Sequence, residues 1–167
     1  IACLQRAVIG VALQPAPAGG NGTRIVSKTG TLLPETVITR DDEVSVDGII
    51  VASTTAVGLR SALVVVDEAA ASMQRLSGTV LSVGGTSATV RTARAEDNPC
   101  GDVPGDVVVR LTSSTSYLTV IVTNTSSTTV MGGTLAAGQT VDMYGRCTAA
   151  TGTDPDQVVI IDDRRTP

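Results

Sequence analysis

Short runs in which apolar and polar residues alternate, each cut off by glycine, proline or an Asn/Asp cluster, recur along the whole chain. A period of two is the pattern of strands with one buried and one solvated face. Its clearest instance is Leu76-Ser77-Gly78-Thr79-Val80-Leu81-Ser82-Val83, then Gly84-Gly85, then a return over Ser87-Ala88-Thr89-Val90-Arg91. This predicts a β-hairpin whose glycine pair takes the positive φ angles of a two-residue turn. Upstream, a strand is predicted at Ala7-Val8-Ile9-Gly10-Val11-Ala12-Leu13, followed by a turn or linker at Pro15-Ala16-Pro17-Ala18-Gly19-Gly20. Further strands are predicted at 23–28, at 43–52 with a bulge or bend at Gly48, and at Ala62–Val66, with Glu68–Gln74 as one helical turn or a connector. Downstream, a loop over 95–106 precedes strands at 107–111, 117–123, 128–131, 139–144 (broken at Gly145) and 157–162.

Two stretches look alike. Val44-x-Val46-x-Gly48 recurs as Val141-x-Met143-x-Gly145, 97 residues later, and Leu63-Val64-Val65-Val66-Asp67-Glu68 recurs as Val158-Val159-Ile160-Ile161-Asp162-Asp163, 95 residues later. The expected organisation is therefore a tandem pair of β modules, residues 1–70 and 76–167. If residue 76 opens the second module, the first lacks its leading hairpin. A strand from another chain could complete it, and Ala7, Val8, Ile9, Val11 and Leu13 form a strand apolar on both faces, as an inserted strand should be. The alternative is that this segment is an ordinary strand of its own module.

Composition narrows the class further. The chain has 24 Thr and 13 Ser, no Phe or Trp, and only Tyr117 and Tyr144 as aromatics, so its core must be Val, Ile, Leu and Ala. Lys28 is the only lysine and Glu occurs four times, which leaves few helix formers. The fold class is all-β: two small OB-like β-barrel or sandwich modules. The formal net charge of −4, the scattered arginines and the lack of aromatic platforms argue against nucleic acid. No run approaches the roughly 20 apolar residues of a transmembrane helix.

Leu76–Val83 with its glycine turn, together with Leu135-Ala136-Ala137-Gly138-Gln139-Thr140-Val141-Asp142-Met143-Tyr144-Gly145, resembles a bacterial family of secreted small β-barrel modules. These are OB-like, occur in tandem and mostly lack an assigned function. The resemblance covers about residues 76–163 and part of a preceding module at 32–68. It implies a five-stranded barrel and nothing about activity.

Candidate chemistry is sparse. The chain contains no histidine, which removes Ser-His-Asp and Cys-His catalysis and His-based zinc sites, and it carries no C-x-x-C, G-x-S-x-G or phosphate-loop motif. No enzymatic activity, cofactor or metal is expected. Asp97, Asn98, Asp102 and Asp106, and separately Asp154 and Asp156, supply oxygen ligands of the kind calcium takes, but without EF-hand spacing they read as turn residues. Asn21-Gly22-Thr23 and Asn124-Thr125-Ser126 match the glycosylation sequon. Tyr117 and Tyr144 are the only residues for a ligand platform; in strands they are expected to cover the core edge with their hydroxyls in water. Cys100 and Cys147 are expected to form a disulfide, worth roughly 3–4 kcal/mol on the loop-entropy model, with two reduced buried thiols as the alternative. A bridge points to an oxidising compartment. Cys3 is left over. Ile1-Ala2-Cys3 is similar to the end of a bacterial lipoprotein signal, although two residues precede the cysteine.

With no site to absorb them, these features point to a structural subunit of an extracellular filament or cell-surface assembly, a homo-polymer joined by β-strand contacts. The competing readings are an envelope-anchored or periplasmic ligand- or partner-binding module, and a viral decoration or tail protein.

Overall fold

Alternating Thr/Val segments become strands here because β-branched side chains pack well on a pleated sheet and poorly on a helix. The computed structural model of the chain describes residues 10–14, 22–39, 42, 44–52, 57–66, 74–101, 103–149 and 152–166. The strands are β1 (Gly10–Leu13), β2 (Arg24–Ser27), β3 (Val44–Ala52), β4 (Val57–Val66), β5 (Gln74–Gly84), β6 (Ser87–Arg91), β7 (Asp106–Arg110), β8 (Ser116–Val122), β9 (Ser127–Met131), β10 (Thr140–Ala149) and β11 (Gly152–Asp163). Helical structure among the described residues is limited to single 3-10 turns at Glu35–Val37 and Ala95–Asp97. The protein is all-β.

The second sheet closes on itself. Its order is β10-β5-β6-β7-β11-β8-β9, and β10 also pairs with β11, so β10, β5, β6, β7 and β11 form a five-stranded, barrel-like ring. Within the ring only β7 and β11 run parallel. Alternate positions of every strand fill its interior: Leu76 and Val80, Ala88 and Val90, Val107 and Val109, Val141 and Met143, Val158 and Ile160. The hairpin turn is Gly85-Thr86, because Gly84 still pairs with Ser87 in the ladder, and only Gly85 of the expected pair takes a positive φ, at 50°.

The first sheet is open. β4 lies at its centre, with β3 antiparallel on one edge and β1 and β2 parallel on the other. All its strands precede residue 67 and all those of the second sheet follow residue 73. The two sheets nonetheless share a core: Val26, Ile49, Leu63 and Val65 from the first pack with Leu118, Val120, Val122, Tyr144 and Val159 from the second. Thr129 Oγ1 donates to the Ala62 carbonyl (3.0 Å) and Arg24 Nε to the Thr129 carbonyl (2.9 Å) across the junction. This explains the unbroken apolar runs. Val158 and Ile160 face the ring interior while Val159 faces the other sheet, so β11 is buried on both sides.

β4 and β11 have matching neighbours. β4 pairs antiparallel with β3 on one edge, and on the other with β1 along its first half and β2 along its second. β11 pairs antiparallel with β10, and on its other edge with β7 and then β8, all in the same directions. The short antiparallel return after β2, bridged at Val26–Leu32, stands where β9 follows β8. β5 and β6 have no counterpart among the described residues. The register pairs Val46 with Val64 and Met143 with Val158, so the two apolar strands correspond at an offset of 94, not the 95 read from the sequence. A run without polar residues carries no alternation to set its phase.

Gly48 and Gly145 both sit at register shifts in these ladders. A Cβ on Gly145 would lie 2.2 Å from the Asp154 carbonyl oxygen, and one on Gly48 2.1 Å from that of Arg60. Backbone cannot move aside as a side chain can, so Gly145→Ala should cost roughly 1–3 kcal/mol in urea denaturation. A change within the error of the method would show that the bend does not require glycine.

Candidate functional site

The face of the first sheet that corresponds to the ring interior is only partly roofed by the described residues. On β3, Val44, Val46, Gly48 and Ile50 point to this face by alternation, paired with Val66, Val64, Ser61 and Leu59 of β4. Across β4, Leu59 and Ser61 pair in turn with Val11 and Leu13 of β1. Ile25, Val64 and Val66 are covered by Leu33, Val37, Ile38 and Val46. Beyond that cover, Val11, Leu13, Val44 and Ile50 are exposed, Ile50 by 75%. In the second sheet the corresponding positions Val141 and Met143 are fully buried. The difference is the β5–β6 hairpin, in which β5 pairs with the outer edge of β10 and β6 with that of β7. The outer edges of β3 and β1 have no strand partner among the described residues. An open nine-residue edge beside an exposed aliphatic face is a ready template for another strand.

A polar cluster lies on the opposite face, between the sheets. Asp142 pairs with Arg75 Nη2 (2.7 Å) and accepts from Ser77 Oγ (2.5 Å). Asp47, on β3, has its Oδ2 shielded from solvent with no protein partner. Burial, reinforced by the negative charge of Asp142 and partly offset by Arg75, pushes the Asp47 carboxyl up to about 6. Tyr144 is wholly buried and its hydroxyl is in no hydrogen-bond geometry, although Ser45 lies close by; burial raises its phenol strongly. The buried amide of Gln157, directly opposite Tyr144, also has no protein partner. The expectation that both tyrosine hydroxyls reach water therefore fails for Tyr144, because its ring fills the layer between the sheets. Tyr117 is partly buried against the ring core.

Cys100 and Cys147 form a disulfide, with Cα atoms 5.3 Å apart, tying the loop before β7 to the end of β10. The Thr153 hydroxyl donates to Cys100 Sγ at 2.9 Å. Cys3, Ala7, Val8, Ile9, Asn21 and Asp102 lie outside the described residues. Gly10–Leu13 pairs within its own chain, parallel to β4. Gln14 is fixed by a reciprocal contact with Thr23 and donates to the Ser61 carbonyl (2.8 Å). Three of the loop residues are occupied: Asp106 pairs with Arg91, Asp154 with Arg110, and Asn98 bonds the Val103 carbonyl and the Cys100 amide. Among the described residues no group of three or more metal-ligating side chains occurs. Asn124 is exposed, but its amide donates to Thr166 Oγ1 (2.9 Å) and accepts from the Thr166 amide (3.0 Å), contacts that compete with a glycan.

Val44, Ile50 and Asp47 did not stand out in the sequence. The Val44–Gly48 repeat marked the strand, but only its partners show which of its faces is bare. No protein-family model matches the chain, and no curated protein or solved structure matches it either.

Proposed function

We propose that the chain is a structural subunit of an extracellular filament or cell-surface assembly, built from copies of itself through β-strand contacts. The observation that carries this reading is the open β3 edge with its bare aliphatic face, where the second sheet is closed by a hairpin. Exposed apolar surface beside unpaired backbone donors and acceptors is the combination that strand addition satisfies. The two sheets are then tandem versions of one OB-like module, the first without its leading hairpin; the matching neighbours of β4 and β11 support this. The disulfide fits an oxidising compartment, and no helix among the described residues is long and apolar enough to cross a membrane. In this reading the chain binds no cofactor and catalyses nothing. Sedimentation velocity over a hundredfold concentration range, with negative-stain microscopy of the same samples, tests it. Fibres or large oligomers are expected; a monomer at every concentration would sink the reading.

A further inference from the structure

We infer that the strand filling the open edge of β3 is the segment Ala7–Leu13 of a second copy, running antiparallel to β3 with Leu13 opposite Val44. The inference rests on assembly through β-strands and supplies its donor, acceptor and register.

The acceptor is defined by comparison within the chain. β10 receives β5 antiparallel on its outer edge, with Gly78 opposite Val141 and Leu76 opposite Met143, and Leu76 turned into the core. β3 presents the matching edge, with Val44 and Val46 in those places. By this comparison the occupant is antiparallel, and the exposed Val44 and Ile50 require it to turn an aliphatic face inward.

Registers that differ by two residues all keep the donor's aliphatic face inward, and complementary side-chain sizes together with the contact at Asp47 choose among them. With Leu13 opposite Val44, Val11 falls opposite Val46, Ile9 opposite Gly48 and Ala7 opposite Ile50. Every inward residue is then apolar. The sizes are complementary, since Ile9 meets the glycine and Ala7 meets the bulky Ile50. On the other face Gly10 falls opposite Asp47 and Ala12 opposite Ser45, so no side chain is driven against the shielded carboxylate. A slip of one residue would turn Val8 and Ala12 inward, placing Gly10 between them, and would drive Leu13 and Val11 to the polar side.

The seat that this segment holds in its own chain is a poor one. Among the described residues Gly10–Leu13 pair with β4, in parallel, and both Val11 and Leu13 stay exposed there. Moving to β3 of a neighbour exchanges a parallel for an antiparallel pairing and covers Val11, Leu13, Val44 and Ile50 together. The pivot is at Gln14, which is anchored to Thr23 and Ser61, and not in the Pro/Gly stretch that follows. Each copy offers one donor and one acceptor at different places, so the contact is heterologous and need not close.

Engineered disulfides read both partner and register. In a Cys3→Ser background, Leu13→Cys with Val44→Cys should give, on mild oxidation, a ladder of covalent oligomers that collapses on reduction. Within one chain those positions lie on opposite sides of β4, two strand spacings (about 10 Å) apart and offset along the strands, too far for a bridge. Leu13→Cys with Ile50→Cys, out of register, should stay monomeric. Ile50→Lys, a substitution at an exposed position that spares the fold, should abolish the ladder when added to the first pair. A wild-type chain that assembles while Leu13→Cys/Val44→Cys gives no ladder overturns the inference and leaves the assembly reading standing. A covalent dimer whose bridge, by peptide mapping, joins position 13 to 13 or position 44 to 44 also overturns it, since it means two copies meet face to face. A wild type that never assembles removes both.

Discussion

Replacing Cys100 and Cys147 together by serine should lower the stability of the chain by about 3–4 kcal/mol, the second sheet being the part affected. The bridge spans 47 positions of sequence, and cutting it returns that loop's freedom to the unfolded ensemble. It also releases the loop before β7 from the end of β10, two places the ladder hydrogen bonds do not join directly. Guanidinium denaturation of the double variant, against the wild type with and without reductant, measures the effect. The reduced wild type should match the variant to within about 0.5 kcal/mol. A midpoint unaltered by either treatment would mean that the ring holds this loop without the bond.

Asp47→Asn should stabilise the protein, by up to about 3 kcal/mol at pH 7.5 and by almost nothing near pH 4. The Asp47 carboxyl is pushed up to about 6 in the folded chain and titrates at its ordinary value of 3.8 when unfolded. Between these values the folded state holds a proton that the unfolded state has lost, so stability falls as pH rises through this window. Above about pH 6 the full cost of a carboxylate whose Oδ2 is shielded and unpartnered is present; the figure is the pKa difference converted at 1.36 kcal/mol per unit. The facing groups are Asp142 and Tyr144 on β10 and Arg75 on β5, and asparagine leaves them in place. Comparing the two proteins at each pH cancels titrations elsewhere. A variant less stable than the wild type at pH 7.5 would show that the charge of Asp47 has a compensating partner.

These effects bear on assembly, because Asp47 sits on the strand whose outer edge is open. Protonating Asp47 removes that cost locally, so β3 is held more firmly on β4 below pH 6 than above it. Assembly through β3 should then be at least as efficient at pH 5 as at pH 7.5.

How much of this was legible in the chain differs between its parts. The β5–β6 hairpin, β7, β8 and β9 were visible because one face of each meets a core and the other meets water, which writes a period of two into the residues. Gly48 and Gly145 announced bends through the same V-x-V-x-G frame. The cysteine pair was readable too, since Cys100 and Cys147 enclose a loop long enough for a bridge to stabilise, in a Thr-rich, Lys-poor chain of the kind found in oxidising compartments. The exact turn of the hairpin was not, because Gly84 and Gly85 are equally able to take a positive φ, and ladder pairing alone chose Gly85. The phase of Leu63–Val66 against Val158–Ile161 was lost for the opposite reason, both runs being apolar on both faces.

By itself, then, the sequence determined an all-β chain with an aliphatic core, strands in two groups, a disulfide and no histidine chemistry. Each of these depends on residue type and short spacing, which are local. What the tertiary structure alone decided is that one group closes into a ring while the other stays open, that the two share a core around Tyr144, and that Val44 and Ile50 stand bare while Val141 and Met143 are buried. Burial of a valine is set by what crosses over it. The strands that cover β10 lie some 65 residues away along the chain, and no local pattern records that β3 lacks them.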